Sequence, residues 1–208
     1  AAGEISDPQY RTDVLAALAP HLPPDLLPAA LQAAGEISDP QYRTDVLAAL
    51  APHLPPDLLP AALQAAGEIS DPQYRTDVLA ALAAHLTPDF FESALQAAGK
   101  ARTLALIKLI PHLPSDLLPS ALQAAGEISD PYGRAQALTA LAPHLPLDLR
   151  QSALQDALHV VGEISDPDDR AEALAALAPH LPPDLLPTAL QVAGENLILM
   201  AAPKPWLP

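Results

Sequence analysis

Six histidines, His21, His53, His85, His112, His144 and His180, recur at one position of a repeating unit and are the first residues to test for chemistry. A zinc site needs several ligands converging about 2 Å from one ion. A repeat instead sets equivalent rings side by side, pointing the same way, on helices roughly 10 Å apart. The expected role is therefore local. A His at the end of a helix donates to free carbonyls and, when charged, favours the helix dipole; pH sensing is the functional alternative. His159 breaks the ladder and is expected to be exposed.

Arg11, Arg43, Arg75, Arg102, Arg134 and Arg170 form a second ladder, which holds six of the ten basic residues. Asp7 lies one turn before Arg11, and Glu4 is expected near it at the end of a neighbouring helix. The pattern predicts a salt-bridge and packing ladder that sets register, since isolated surface pairs contribute only about 0–1 kcal/mol each. Anion recognition is the alternative, and the surrounding acid weakens it.

The other routes to catalysis fail on residue type or spacing. With no Cys there is no thiolate ligand, thiol nucleophile or disulfide. No Gly-rich phosphate loop and no specific Ser/His/Asp arrangement occurs, and near-identical stacked units offer a groove of repeated positions rather than one enclosed pocket. No enzyme activity, cofactor or metal is expected. A net charge of −15 argues against nucleic acid and against an anionic membrane surface. No apolar run approaches the roughly 18 residues of a spanning helix, and no signal peptide is visible, so a cytoplasmic location is expected. The chain starts at Ala1 inside a repeat, as a piece of a longer array would.

The elements that position these ladders follow from the period. Residues 1–32 and 33–64 are identical, and the unit continues unchanged through Ala83. Fixed periods of this length mark architectures in which each unit buries its apolar face on the next. Half the residues are apolar and only 3% aromatic, so the core is built from Leu and Ala. The 26 prolines recur in register and act as punctuation. Asp7-Pro8 reads as N-cap and first position of a helix running to about Ala19, with Val14, Leu15, Leu18 and Leu22 on its buried side. Pro20 belongs in a bent last turn, because inside a helix it costs about 3 kcal/mol. Asp25 reads as the N-cap of a second helix ending near Gly35, by analogy with the capping-box pairs Asp89/Glu92 and Asp148/Gln151.

The predicted fold is all-α, an α-solenoid of about six helix-turn-helix repeats in one domain over 1–195. The repeats fall near 7–35, 39–67, 71–99, 100–126, 130–162 and 166–194, with 196–208 as an irregular tail or cap. The fourth lacks five linker residues at Gly99-Lys100-Ala101-Arg102. The fifth carries four extra around Asp156–His159, about one more helical turn.

The phrase Leu15-Ala16-Ala17-Leu18-Ala19-Pro20-His21-Leu22-Pro23 resembles the "LAALAPHLP" core of bacterial helical tandem repeats, TPR/HEAT-like in shape. Similar repeats are appended to signalling NTPases of the STAND type. The resemblance implies a sensor or interaction region, with any NTPase lying elsewhere, since GxxxxGK[ST] is absent. The expected function is a non-catalytic protein-interaction or sensor scaffold within a larger bacterial signalling protein. A structural spacer, or an engineered or recently duplicated array without a dedicated ligand, is the alternative. The candidate surface is the outer stripe of the first helices: Gln9, Asp13, Gln41, Asp45, Gln73 and Asp77. It changes character at Lys100, Leu104, Ile107 and Lys108. The expected partner is a basic protein or peptide, with self-association through the array ends as a further risk.

Overall fold

The computed structural model describes the backbone of residues 8–201 and the side chains of residues 9–194, and among these the only regular structure is helical. The chain divides into two compact units, Ala1–Ser120 and Ala121–Pro208. The first unit holds α1 (Pro8–Leu18), α2 (Leu27–Gly35), α3 (Pro40–Leu50), α4 (Leu59–Gly67), α5 (Pro72–Leu82), α6 (Pro88–Ala98) and α7 (Arg102–Leu109). The division falls within α8 (Leu118–Gly126), and the second unit continues with α9 (Pro131–Leu141), α10 (Leu147–Glu163), α11 (Pro167–Leu177) and α12 (Leu186–Ala201).

In the first unit the helices alternate between two rows. The first helix of each hairpin packs on the next first helix, α1 on α3, α3 on α5 and α5 on α7, while α2, α4 and α6 form the second row. In the second unit α10 packs on both α9 and α11, and α12 packs on α10 and α11. The added residues of the fifth repeat are helical, making α10, at 17 residues, the longest helix among the described residues.

Each boundary has a local cause. Asp39, Asp71, Asp130 and Asp166 are N-caps whose carboxylates accept from backbone N–H groups two or three residues on; for Asp39 these are Gln41 at 2.9 Å and Tyr42 at 3.1 Å. Asp7, the counterpart in the first repeat, lies outside the described residues, as does Glu4. At the other end the chain tightens into a three-residue 3₁₀ turn, Ala19–His21 in the first repeat, which takes in Pro20. Leu22 is then extended (φ −73°, ψ 129°), because the following Pro23 bars the helical region.

Asp25 does not cap the second helix. Extended Pro23 precedes a 3₁₀ turn, Pro24–Leu26, and Asp25 sits inside that turn, where its charge favours the positive end of the helix. The same shift displaces Asp89 and Asp148 to the second helical position behind Thr87 and Pro146, so neither pair forms a capping box. Glu92 is spent on Arg102 instead, and Gln151 on Asp184. Among the described glycines only Gly99 has positive φ, so Gly35 ends its helix without a left-handed cap. Finally, α12 runs on through Ala201, into the segment read as irregular.

Candidate interaction surface

The histidines stand where the bent turns put them. Each of the six is the last residue of a 3₁₀ turn; His85 is half-buried and the others are exposed. Among the described residues no group of three or more His, Asp or Glu side chains could hold a metal ion. His159 is exposed on α10, with Nε2 3.4 Å from Glu163 Oε1.

Arg43, Arg75 and Arg134 are held by linker carbonyls, while carboxylates meet Arg134, whose Nη1 lies 3.8 Å from Glu163 Oε2, and Arg102, whose Nη1 lies 2.9 Å from Glu92 Oε1. Arg43 Nε donates to Ile37 O at 2.8 Å, Arg75 Nε to Ile69 O at 2.8 Å and Arg134 Nε to Ile128 O at 2.7 Å. The acceptor lies six residues back each time, on the buried Ile of the linker between hairpins. A guanidinium offers several fixed donors at once, so it ties a linker that has no ladder of its own. Arg170 keeps the position, but its Nε is buried without a hydrogen-bond partner. Arg102, where the linker is missing, turns to Glu92 with two bonds of 2.9 and 3.2 Å. Ile5, the linker counterpart for Arg11, lies outside the described residues.

A third ladder escaped the sequence reading. Thr12, Thr44 and Thr76 are buried on the first-helix row. Thr44 Oγ1 donates to Pro40 O at 2.8 Å and also reaches Tyr74 O of the next hairpin at 3.4 Å. A Thr recurring every 32 positions between Arg and Asp was the available signal; a Thr mid-helix is satisfied by bonding back to the preceding turn.

The outer stripe of that row carries the acid. Gln9, Asp13, Gln41, Asp45 and Gln73 are exposed and Asp77 is half-buried. The Asp45 carboxyl is held above its ordinary range by partial withdrawal from water, by the neighbouring Asp13, and by Asp39. One hairpin further on the row meets its own cation. Lys108 Nζ lies 2.6 Å from Asp77 Oδ1, bridging α7 to α5. Leu104 and Ile107 are half-buried beside it, and Lys100 is exposed. In the second unit Gln136 and Glu172 hold the stripe positions. A hydrogen bond between the Tyr132 hydroxyl and Glu172 pushes the phenol up.

The second-helix row is grooved but not closed. Shallow clefts of about 290 Å³ between α2 and α4 and about 380 Å³ between α4 and α6 share Gln64 and are lined by Leu31 and Gln32 or by Leu63 and Phe90. A cleft of about 370 Å³ in the second unit is lined by Leu147, Arg150, Gln151, His180 and Asp184. Its polar groups are turned on the protein itself: Arg150 Nη2 donates to Leu145 O at 2.8 Å, and Gln151 Nε2 to Asp184 Oδ2 at 3.2 Å.

Compared with known proteins, the chain matches no family model, no curated sequence and no solved structure. No helix among the described residues is long and apolar enough to cross a membrane.

Proposed function

We propose that this chain is a non-catalytic protein-interaction module whose first-helix row takes a basic segment of a partner. The observation that carries this reading is the contrast between Asp45 and Asp77. Asp45 has no cation beside it, and its carboxyl is disfavoured first by partial withdrawal from water and then by Asp13 and Asp39, while Asp77 at the next hairpin is paired with Lys108 at 2.6 Å. The row accepts a lysine where the chain itself supplies one. Where it supplies none, adjacent carboxylates repel, and a cation from outside relieves that repulsion.

Helices in such a row stand roughly 8–10 Å apart, and a polyproline II segment rises about 3.1 Å per residue with three residues per turn, so lysines at every third position share one face and match the step. The resemblance of the Leu15–Pro23 phrase to repeats of signalling NTPases supports placing such a module in a larger bacterial signalling protein.

The test is titration of a labelled peptide with Lys at every third position into the full chain. Asp13→Lys with Asp45→Lys should weaken binding more than about tenfold with far-UV circular dichroism unchanged. Lys108→Ala, which frees Asp77, should tighten it. Equal affinity for all three proteins would sink the reading. The spacer is the second reading, favoured by the identity of residues 1–32 and 33–64. It expects no binding by any of them.

A further inference from the structure

We propose that the cleft between α10 and residues 180–184 binds a small apolar zwitterion, the class of the free aliphatic amino acids. Arg150 takes its carboxylate, Asp184 its ammonium, and Leu147, Leu154 and Leu181 its side chain. This is independent of the proposed binding of a basic segment.

The cleft forms where one hairpin departs from the repeat. All of its walls are among the described residues, one from the fifth hairpin and one from the sixth. The wall from the sixth, His180, Leu181, Pro182 and Asp184, keeps the residue types of His21, Leu22, Pro23 and Asp25. The wall from the fifth does not. Arg150 replaces the residue that is Leu27, Leu59, Phe91 and Leu118 in the preceding hairpins, and all four of those are buried. Gln151 stands where Pro28, Pro60 and Pro119 do, and Leu147, 80% exposed, where Pro24, Pro56 and Pro88 do. Three departures within the stretch 147–151 thus line a single cleft.

Putting a cation where the repeat buries a leucine is unfavourable unless the charge finds partners. Here its partners are incomplete. Arg150 Nη2 donates to Leu145 O at 2.8 Å and to Pro143 O at 3.3 Å, but Nε is buried without a partner. Among the described residues no carboxylate pairs with this guanidinium. On the facing wall Asp184 accepts from Gln151 Nε2 at 3.2 Å through Oδ2, which leaves Oδ1 for a second donor. The cleft therefore carries one cation and one anion that do not meet each other, beside leucine side chains.

That set selects both charge and size. A simple carboxylate gains Arg150 but is repelled by Asp184 and by the net charge of −15. A simple amine gains Asp184 and is repelled by Arg150. A zwitterion satisfies both and carries no net charge. The volume of about 370 Å³ is near the lower end of the roughly 300–1,000 Å³ of small-molecule sites, which set a few polar groups in mostly apolar walls. An aliphatic amino acid suits that room.

Isothermal titration of the full chain with L-leucine tests this. Leucine should bind saturably at one site. 4-Methylpentanoate, which lacks the ammonium, and 3-methylbutylamine, which lacks the carboxylate, should each bind more than about tenfold more weakly. Arg150→Leu with Gln151→Pro restores the pair found at Leu27-Pro28, Leu59-Pro60 and Leu118-Pro119, so circular dichroism should be unchanged while leucine binding is lost. Asp184→Asn should weaken leucine more than about tenfold and leave 4-methylpentanoate bound no more weakly than before. The absence of saturable binding at millimolar leucine overturns the inference. So does 4-methylpentanoate binding as tightly as leucine, or leucine binding that survives Arg150→Leu with Gln151→Pro.

Discussion

Arg75 Nη1 donates to the carbonyl of Ala98 at 3.0 Å, tying the third hairpin's first helix to the C-terminal end of its second. The same side chain holds Ile69 O at 2.8 Å and Ser70 O at 3.2 Å. Arg43, in identical sequence, has only the Ile37 bond among those described. The extra bond exists because the missing linker sends the chain straight from α6 into the 3₁₀ turn Gly99–Ala101 and so into α7.

Arg75→Met should therefore destabilise the chain more than Arg43→Met. Leaving partly buried carbonyls unpaired costs about 1–3 kcal/mol. Urea unfolding gives the ranking, and hydrogen exchange should show the loss at α6 and α7. Arg75→Lys should not restore it, because a single ammonium cannot reach three diverging acceptors as a planar fork does.

Leu18 and Leu50 occupy the same position of identical sequence at 44% and 0% exposure. Leu50→Ala should cost about 2–5 kcal/mol through lost burial and the cavity left behind. Leu18→Ala should stay within about 0.5 kcal/mol, the range of surface substitutions, when measured at high dilution. Equal losses at the two positions would contradict the burial assigned here.

Asp45 sets a pH dependence. Its folded pKa lies above the ordinary 3.8, chiefly through burial and then through Asp13 and Asp39. A carboxyl raised by folding favours the native state below its unfolded pKa, and that contribution is lost as pH rises through the folded value. At neutral pH the ionised group is therefore a mild liability. Asp45→Asn should raise the melting temperature at pH 7, with the gain shrinking as the medium is acidified. Asp13→Asn should lower the Asp45 pKa, read by carbon-13 NMR titration of the carboxyl.

Gly99 and Gly35 look alike in sequence and differ in backbone. Gly99 has φ 57° and ψ −123°, which L side chains rarely adopt. Gly99→Ala should cost about 1–3 kcal/mol. Gly35 has no positive φ, and a Cβ there would meet nothing within 4 Å. Gly35→Ala should leave stability unchanged or raise it by up to about 1 kcal/mol, through lower unfolded-state entropy. Thermal and urea unfolding of both variants checks the contrast.

Much of the local structure was written in residue order. The period, the helical class, the Asp N-caps before Pro40 and Pro72 and the bent turn at Pro20 all follow from constraints acting within a few residues. At Asp25 the capping-box analogy pointed to an N-cap, and the extended Pro23 followed by the turn at Pro24 overruled it. Tertiary structure alone decided the rest. Whether Arg43 meets a carboxylate or a carbonyl depends on where the linker folds back. Whether Asp77 stands free depends on a lysine 31 residues away. Val14 and Val46 are indistinguishable in sequence, and burial is a property of what packs against a residue, which identical sequence cannot encode twice in different ways.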